Sequence, residues 1–368
     1  MPRSFLRIKK DPFPGSLTSS ILSGLPGRKR WPDLLLNTYL CALMKCRICG
    51  NAANNKPMEL RENLHATREL FSYFQCSACE CIQISEIPAD IGKYYPPDYY
   101  AFNDHGGDKY MEKKLDFFRK TQSDYLIHGK SKFLGSLFTI GFPAPKVFTW
   151  IRNLKLSKND NILDIGCGTG SNLKHMHQLG YINLTGADPF IEKDYSFSGS
   201  FKIHKIDPLD LDESNKFDCV MMHHSFEHME HERPVLVKAK KLLKPGGKIL
   251  IRIPVYSQPL LEKYGINQAS LDAPRHFFVH SAKSMNILVR EAGLTIDKID
   301  YDADEFSFWA SEEYIHDICS GDENSYARNR KKSIFSKSKI KEFKKEIKKL
   351  NEEGKSDCAA FYISALSN

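Results

Sequence analysis

Apolar and polar positions along the chain follow two periods, and the change from one to the other marks the expected strands and helices. From residue 155 onward, short apolar runs alternate with stretches in which apolar residues recur every three or four positions. Such alternation predicts a mostly parallel sheet with helices on both faces. The predicted strands are 162–165, 184–187, 202–206, 217–222, 248–253, 295–301 and a final edge strand over 358–366, with helices over 170–179, 232–243 and 281–292.

The part of the chain before residue 155 has a different organisation. Residues 58–75 alternate as strands do, residues 88–110 are a linker with many aromatic residues, and residues 110–154 have a helical pattern interrupted at 141–145. The first 43 residues are basic, rich in Pro, Ser and Gly, and we expect a disordered or non-native extension, with Met44 as the functional start. The predicted domains are therefore this extension (1–43), a small module (44–87), an aromatic linker and helical lid (88–154) and an α/β domain (155–368).

Composition and charge narrow the classes of function. No run of 18 or more apolar residues exists, so we expect no membrane span and a cytoplasmic protein. The net charge of +8 is concentrated between residues 328 and 349. This segment has eleven Lys or Arg residues, and its acidic residues are Glu342 and Glu346. Apolar residues at helical spacing in this segment predict an amphipathic helix with a solvated basic face. An acidic substrate, a membrane surface or nucleic acid remains the alternative use of that face.

A glycine-rich turn follows the first strand of the α/β domain. The sequence Ile-Leu-Asp-Ile-Gly-Cys-Gly-Thr-Gly places Gly166, Gly168 and Gly170 where a backbone without Cβ atoms lets a ligand approach closely. Asp188 ends the next strand, about where a β-α-β unit places a carboxylate that accepts hydrogen bonds from ribose hydroxyls. Because serine follows the last glycine, the dinucleotide pattern G-x-G-x-x-G is not met.

Five cysteines lie close together before the linker. Cys46 and Cys49 form one C-x-x-C knuckle, and Cys76 and Cys79 form a second. Four thiolates offered by two tight turns predict a structural zinc site, with free thiols or a redox pair as the alternatives. Cys81 is expected to be a spare cysteine outside the ligand set.

Two polar motifs follow strands of the α/β domain, and ligands of such sheets bind beyond the carboxyl ends of the strands. Residues 223–228 read His-His-Ser-Phe-Glu-His, and residues 272–276 read Asp-Ala-Pro-Arg-His. An imidazole near its ordinary pKa can remove a proton from a hydroxyl or an amine. The alternatives are structural, because Glu-His can tie a loop to the following helix and Arg-His can cap a helix.

Together these motifs resemble class I S-adenosylmethionine-dependent methyltransferases. The glycine turn with Asp164 before it resembles the cofactor loop, and Glu227-His228 resembles the Leu-Glu-His segment of small-molecule members, with Phe226 in the apolar place. Leu-Lys-Pro-Gly-Gly at 243–247 matches a structural turn of the family. The knuckles and the Asp-x-Pro-Arg-His motif are similar to zinc-containing methyltransferases of bacterial polysaccharide, O-antigen and deoxysugar biosynthesis, and the resemblance extends from Met44 to the C-terminus.

The resemblance implies a Rossmann-like, doubly wound, mostly parallel seven-stranded sheet with a zinc-ribbon-like module. It implies S-adenosyl-L-methionine as methyl donor, structural Zn²⁺, and transfer to an O or N atom of a small molecule such as a sugar or glycan precursor. C-methylation is not expected, because the sugar C-methyltransferases usually carry a further C-terminal domain. Asp207, or Asp210 as second choice, would take the adenine amino group, and Arg275 would bind a carboxylate or phosphate of the acceptor. The expected cofactor-binding residues are Asp164, Gly166, Gly168, Gly170, Asp188, Asp207 and His223; the expected catalytic residues are His276, His228 and Glu227; the expected zinc ligands are Cys46, Cys49, Cys76 and Cys79.

Two other functions remain open. An RNA methyltransferase would make natural use of a zinc module and a basic helix. Against it, the exit of the fourth strand lacks the Asn/Asp-Pro-Pro-Tyr motif used on exocyclic amines of bases, and the zinc-bearing rRNA guanine methyltransferases have a histidine where Cys79 stands. The other alternative is a zinc-ribbon interaction protein whose methyltransferase fold is inert, and the intact glycine turn and Asp188 disfavour it.

Overall fold

The computed structural model describes residues 44–95, 113–127, 129–130, 132–139, 146–197 and 199–366. The expectations for residues 1–43, for most of the aromatic linker and for the helix break at 141–145 lie outside these described residues. The described residues form one compact unit.

The N-terminal module is a small antiparallel sheet completed by a strand from far along the chain. Strands β1 (Lys56–Arg61), β2 (Leu70–Gln75) and β3 (Ile82–Ile84) pair in chain order, and Phe278–Val279 adds a fourth strand beside β3. The buried residues of the module belong to the same hydrophobic core as those of the large sheet. The module is therefore packed into the α/β domain and shares its core.

In the described part of the segment before the large sheet there are three helices, as the helical pattern over 110–154 predicts. They are α1 (Lys113–Leu126), α2 (Lys132–Thr139) and α3 (Lys146–Leu154). α3 buries Val147, Phe148, Trp150 and Ile151 at helical spacing in a second core cluster, to which Ile162 of β4 (Asn161–Ile165) also belongs.

Strands and helices alternate in the α/β domain as predicted. The ends of each predicted element agree with the structure within one or two residues, except that the fifth predicted strand begins five residues earlier. After β4 the elements are α4 (Ser171–Gln178), β5 (Asn183–Ala187), β6 (Tyr195–Ser196), β7 (Lys202–His204), β8 (Phe217–His223), α5 (Glu232–Leu242), β9 (Leu243–Pro254), α6 (Gln258–Tyr264), β10 (Phe278–Val279), α7 (Ala282–Glu291), β11 (Leu294–Tyr301), α8 (Phe306–Ile315), α9 (Lys337–Glu352) and β12 (Cys358–Ala365). In β9 the residues between Leu243 and Lys248 leave the register with β8, so the Lys-Pro-Gly-Gly segment forms an irregularity in the strand.

The large sheet has eight strands in the order β11-β12-β9-β8-β4-β5-β7-β6. The run from β9 to β7 is parallel, β12 is antiparallel to both its neighbours, and β6 is antiparallel to β7. The expected count of seven strands is corrected by the two-residue β6, which is too short to give a sequence pattern.

The predicted final edge strand was also wrong, because β12 lies inside the sheet between β9 and β11. Residues Cys358 to Ile363 are all buried. A continuous apolar run of this kind is typical of a strand covered on both faces. β11, with a more exposed pattern, is the edge strand on this side.

The basic segment near the C-terminus forms the expected amphipathic helix. Within α9, Ile340, Phe343 and Ile347 are buried, while the lysines face outward and several pair with glutamates. In the part of the chain that the structure describes, no helix combines the length and the apolar character needed to cross a membrane.

Candidate active site

The glycine turn lies at the carboxyl end of β4 and adopts a conformation that side chains would obstruct. Gly166 has a φ of +71°, and a Cβ atom there would lie 2.4 Å from the Cβ of Ser225. Gly168 also has a positive φ, and its N–H donates a 2.8 Å hydrogen bond to the Asp188 carboxylate. The turn therefore needs glycine for the backbone itself and for close approach to the strand-end loop.

Two buried carboxylates flank this turn. The second oxygen of Asp188 accepts from the N–H of Phe190 at 2.8 Å, so the carboxylate fixes both the turn and its own loop. Asp164 is 1% exposed, and its Oδ1 has no hydrogen-bond partner among the described residues. Burial, and then the charge of Asp188, raise the pKa of Asp164 well above its ordinary value. These acceptors fit a ligand that brings hydroxyl or ammonium donors.

The two remaining candidates for cofactor binding have different surroundings. His223 ends β8, is buried, and neither of its ring nitrogens has a hydrogen-bond partner among the described residues. Trp150 of α3 packs on its ring with centroids 4.3 Å apart, and burial lowers the pKa of His223 well below its ordinary value. Asp207 is exposed and caps a short turn by accepting from the N–H of Leu209.

The three expected catalytic residues lie together beyond the carboxyl ends of the strands. The ligand atoms of Glu227, His228 and His276 all lie within 4.8 Å of one another. His276 Nε2 is 3.9 Å from Glu227 Oε1, and the rings of His228 and His276 have centroids 4.8 Å apart. The N–H of Phe277 donates to the carbonyl of Glu227, which joins the two loops that carry the cluster.

The backbone fixes the orientation of both imidazoles. His228 Nδ1 donates to the carbonyl of Arg275 at 2.7 Å, and His276 Nδ1 donates to the carbonyl of Ser270 at 2.9 Å. Because each Nδ1 carries the shared proton, each neutral ring keeps its lone pair at Nε2. The hydroxyl of Tyr95 lies 3.2 Å from His228 Nδ1, at the edge of the cluster.

The cluster combines an ionised carboxylate with a neutral imidazole. Burial alone would raise the pKa of Glu227, but His224, His228 and His276 around it lower this pKa to about 2. Burial is also the main cause that lowers the pKa of His228, to about 4, against the opposing charge of Glu227. A neutral His228 beside an ionised Glu227 offers lone pairs to a proton or to a cation.

The expectation that Arg275 faces the acceptor was wrong. The Arg275 side chain is 0% exposed, and its guanidinium is bonded to the carboxylates of Asp272 and Glu62 and to the carbonyl of Tyr94. Glu62 is also fully buried and comes from the end of the module strand β1. Arg275 therefore joins the N-terminal module to the loop that carries His276.

The module holds this loop through further contacts that sequence reasoning did not find. The buried hydroxyl of Tyr73 donates to the carbonyl of His276 at 2.9 Å, and the N–H of Ile84 donates to the carbonyl of Phe277. Ser281, which caps α7, donates to the carbonyl of Cys79. These contacts join residues about 200 positions apart, so no local sequence pattern predicts them.

The four expected zinc ligands come together in the module. The Sγ atoms of Cys46, Cys49, Cys76 and Cys79 lie within 4.8 Å of one another, with contacts of 3.6 Å (46–79) and 3.5 Å (49–76). Zn–S bonds of about 2.3 Å in a tetrahedron place sulfurs about 3.8 Å apart, so the cluster fits this ion.

The surroundings of the cluster also suit thiolates. Gln83 Nε2 donates to Cys46 Sγ at 3.1 Å, and the N–H of Cys79 donates to Cys76 Sγ at 3.5 Å. Such donors orient and stabilise sulfur ligands of a metal. Cys81 is buried outside the set, and its Sγ lies 4.0 Å from His280 Nδ1.

The central part of the chain is similar to a known family of domains. Residues 144–299 match the family described as a methyltransferase domain. This range contains the glycine turn, both buried carboxylates and all members of the Glu-His-His cluster.

Curated relatives match over part of their length. A ubiquinone biosynthesis O-methyltransferase of Xanthomonas oryzae pv. oryzae is 27% identical over 99 residues, which are 24% of this chain and 41% of the relative. Phosphoethanolamine N-methyltransferase 1 of Arabidopsis thaliana is 24% identical over 201 residues, 51% of this chain and 39% of the relative. The chain thus spans less than half the length of each of these relatives.

Solved structures give distant matches. A SAM-dependent methyltransferase from Archaeoglobus fulgidus has a TM-score of 0.37 at 21% identity, covering 62% of this chain and 97% of its own. The 1,6-didemethyltoxoflavin-N1-methyltransferase of Burkholderia thailandensis has a TM-score of 0.33 at 15% identity, covering 51% and 80%.

Proposed function

We propose that this chain, in which residues 144–299 form a methyltransferase domain, transfers a methyl group from S-adenosylmethionine to an O or N atom of a small molecule. The observation that carries the proposal is the pairing, at one edge of the sheet, of a glycine turn and buried carboxylate acceptors with a Glu-His-His cluster. The glycine turn and the carboxylates suit a methyl donor that carries a ribose and an ammonium group. The Glu-His-His cluster suits a methyl acceptor that must lose a proton.

The donor side uses the residues around the glycine turn. Asp188, already held by Gly168 and Phe190, would accept from ribose hydroxyls through its remaining lone pairs. Asp164 would accept from the cofactor's polar end, since its Oδ1 lacks a partner among the described residues. Gly166, Gly168 and Gly170 would line the cofactor, Asp207 would take the adenine amino group, and His223 would lie beside the reacting end.

The acceptor side uses Glu227, His228 and His276. When bound, S-adenosylmethionine supplies a methyl group on a sulfonium sulfur. An oxygen or nitrogen nucleophile attacks the methyl carbon and displaces the sulfur directly. The new C–O or C–N bond forms as the C–S bond breaks, and the acceptor's proton leaves. The chain therefore chiefly aligns the acceptor and manages that one proton, which is the role we assign to the cluster.

The acceptor we propose is a sugar or glycan precursor. The support is the resemblance of the knuckles and the Asp-x-Pro-Arg-His motif to methyltransferases of polysaccharide pathways, together with a polar acceptor side. The four cysteines of the module would hold structural Zn²⁺, which is closed to chemistry because four protein ligands leave no open coordination position.

The test is transfer of labelled methyl groups from S-adenosylmethionine to a panel of nucleotide sugars and to RNA. The proposal expects label in a small-molecule product. His276→Ala should leave the affinity for S-adenosylhomocysteine unchanged and lower turnover by about 100-fold, the range of general acid–base catalysis. The exposed His231→Ala is the matched control and should keep full turnover.

Each contrary result has its own meaning. Unchanged turnover in His276→Ala would remove this residue from the site. Label in RNA alone, with retention that falls steeply with salt, would replace the acceptor class. Failure of the wild-type chain to bind S-adenosylhomocysteine in calorimetry would favour an inert fold.

A further inference from the structure

A buried carboxyl group in the acceptor-side cluster lacks the partners that such a group requires. Glu227 is 0% exposed, and neither carboxylate oxygen makes a hydrogen bond with any described residue. His224 Nδ1 at 3.5 Å and His276 Nε2 at 3.9 Å are the nearest ion-pair partners, and both are too distant or misaligned for a hydrogen bond. Buried carboxylates are normally paired, hydrogen-bonded or bound to a metal ion.

The strong cations near the cluster are engaged elsewhere. The guanidinium of Arg275 is held by Asp272 and Glu62. The guanidinium of Arg252 donates to the carboxylate of Asp302 and to Nε2 of His224. Neither guanidinium forms an ion pair with Glu227, and among the described residues imidazoles are its nearest basic groups.

The imidazoles are arranged as metal ligands usually are. A histidine that binds a metal through one ring nitrogen commonly donates the other N–H to a backbone carbonyl or a carboxylate. His228 and His276 both do this through Nδ1, to the carbonyls of Arg275 and Ser270. The Nε2 lone pair of His276 then lies 3.9 Å from Glu227 and 3.8 Å from Asp272 Oδ2.

We propose that Glu227, His228 and His276 bind a divalent cation at the acceptor side, separate from the four-cysteine cluster. Two imidazoles and one carboxylate suit Mn²⁺, Fe²⁺, Co²⁺ or Zn²⁺, and three protein ligands leave coordination positions open for substrate oxygen. Asp272 supplies a second carboxylate beside the set. The unpartnered Glu227 carboxylate is the feature that a bound cation explains.

The role of the cation, but not its binding, rests on the proposed function. A cation here would take the acceptor's hydroxyl oxygen as a ligand and lower the pKa of that hydroxyl. The hydroxyl proton leaves to solvent, the oxygen attacks the methyl carbon, and the C–S bond breaks to release neutral S-adenosylhomocysteine. The cation thus favours an oxygen acceptor over a nitrogen one, and the cluster would manage the acceptor's proton through the bound cation.

The test is a titration with Mn²⁺ of the full chain loaded with one equivalent of zinc, which the four thiolates bind first, with free Mn²⁺ followed by electron paramagnetic resonance. Mn²⁺ prefers oxygen and nitrogen ligands, so it leaves the four-cysteine site to zinc. We expect one bound Mn²⁺ per chain in addition to one zinc. Glu227→Gln and His276→Ala should each weaken Mn²⁺ binding by at least about tenfold, while the exposed His231→Ala should bind as the wild type does.

Two measurements separate this proposal from the proposed function and from misfolding. Each variant must keep the zinc content and the S-adenosylhomocysteine affinity of the wild type; His228→Ala replaces any variant that does not. Mn²⁺ binding that is absent from the wild type, or that Glu227→Gln leaves unchanged, would overturn the cation site. Mn²⁺ bound by a chain that binds no S-adenosylhomocysteine would support the site and overturn the methyltransferase proposal.

Discussion

The hydroxyl of Tyr73 donates a hydrogen bond of 2.9 Å to the backbone carbonyl of His276, so the cysteine module directly holds the loop of the acceptor side. The buried Glu62–Arg275 ion pair makes a second link between the same two parts. We therefore expect the module to position this loop, in addition to the stability that bound zinc would supply.

Tyr73→Phe tests this link. The change removes the donor and leaves the His276 carbonyl buried without it, which should lower the free energy of unfolding by about 1–3 kcal/mol. Turnover should fall, while the affinity for S-adenosylhomocysteine stays unchanged because the glycine turn lies elsewhere. Denaturant unfolding measures the stability and calorimetry measures the affinity for S-adenosylhomocysteine. Tyr195→Phe on the edge strand β6 is the control. A Tyr73→Phe variant with full stability and turnover would contradict the positioning role.

Asp188→Ala should abolish cofactor binding and preserve the fold. The carboxylate holds the N–H groups of Gly168 and Phe190, so its loss also costs about 1–2 kcal/mol of stability. Asp188→Asn keeps one acceptor oxygen and should bind S-adenosylhomocysteine weakly in calorimetry. The exposed Asp212→Ala is the control. Normal affinity in Asp188→Ala would remove this residue from the cofactor site.

Gly166→Ala should disrupt the turn for two reasons. A positive φ costs a residue with a side chain about 1–2 kcal/mol, and the new Cβ would lie 2.4 Å from that of Ser225. Gly246→Ala isolates the first reason, because Gly246 has a φ of +78° and a Cβ there would have nothing within 4 Å. We expect thermal unfolding and cofactor affinity to suffer far more in Gly166→Ala. Equal effects would mean that close approach at Gly166 is unimportant.

Cys76→Ser should release zinc and destabilise the module, since metal binding and folding of such a module are coupled. Cys81→Ser, also buried but outside the cluster, should retain one zinc per chain. Elemental analysis and thermal unfolding check both variants. Loss of turnover in Cys76→Ser with unchanged S-adenosylhomocysteine binding would follow from the Tyr73 link. A wild-type chain without zinc, or equal loss of metal in both variants, would contradict the assignment.

Local patterns in the sequence are sufficient to predict most of the fold and the parts of the site that lie within a few residues. Helix α7 is expected over 281–292 and extends from Ala282 to Glu291, because its apolar spacing and its serine cap are both local. The glycine turn and the cysteine knuckles are recognisable for the same reason.

Relationships between distant segments are beyond the reach of such patterns. The internal place of β12 depends on its partners β9 and β11 and not on its own apolar run. Arg275 stands beside His276 in the sequence, yet its side chain is held by Glu62 from the other end of the chain. Pairing over such separations is decided by packing, and a single sequence carries no local signal of it.

The most direct test of the central proposal is transfer of labelled methyl groups from S-adenosylmethionine to nucleotide sugars by the wild-type chain and by Asp188→Ala. The account predicts a labelled small-molecule product with the wild type and none with the variant. Label that appears only in RNA, or equal labelling by both proteins, would contradict it.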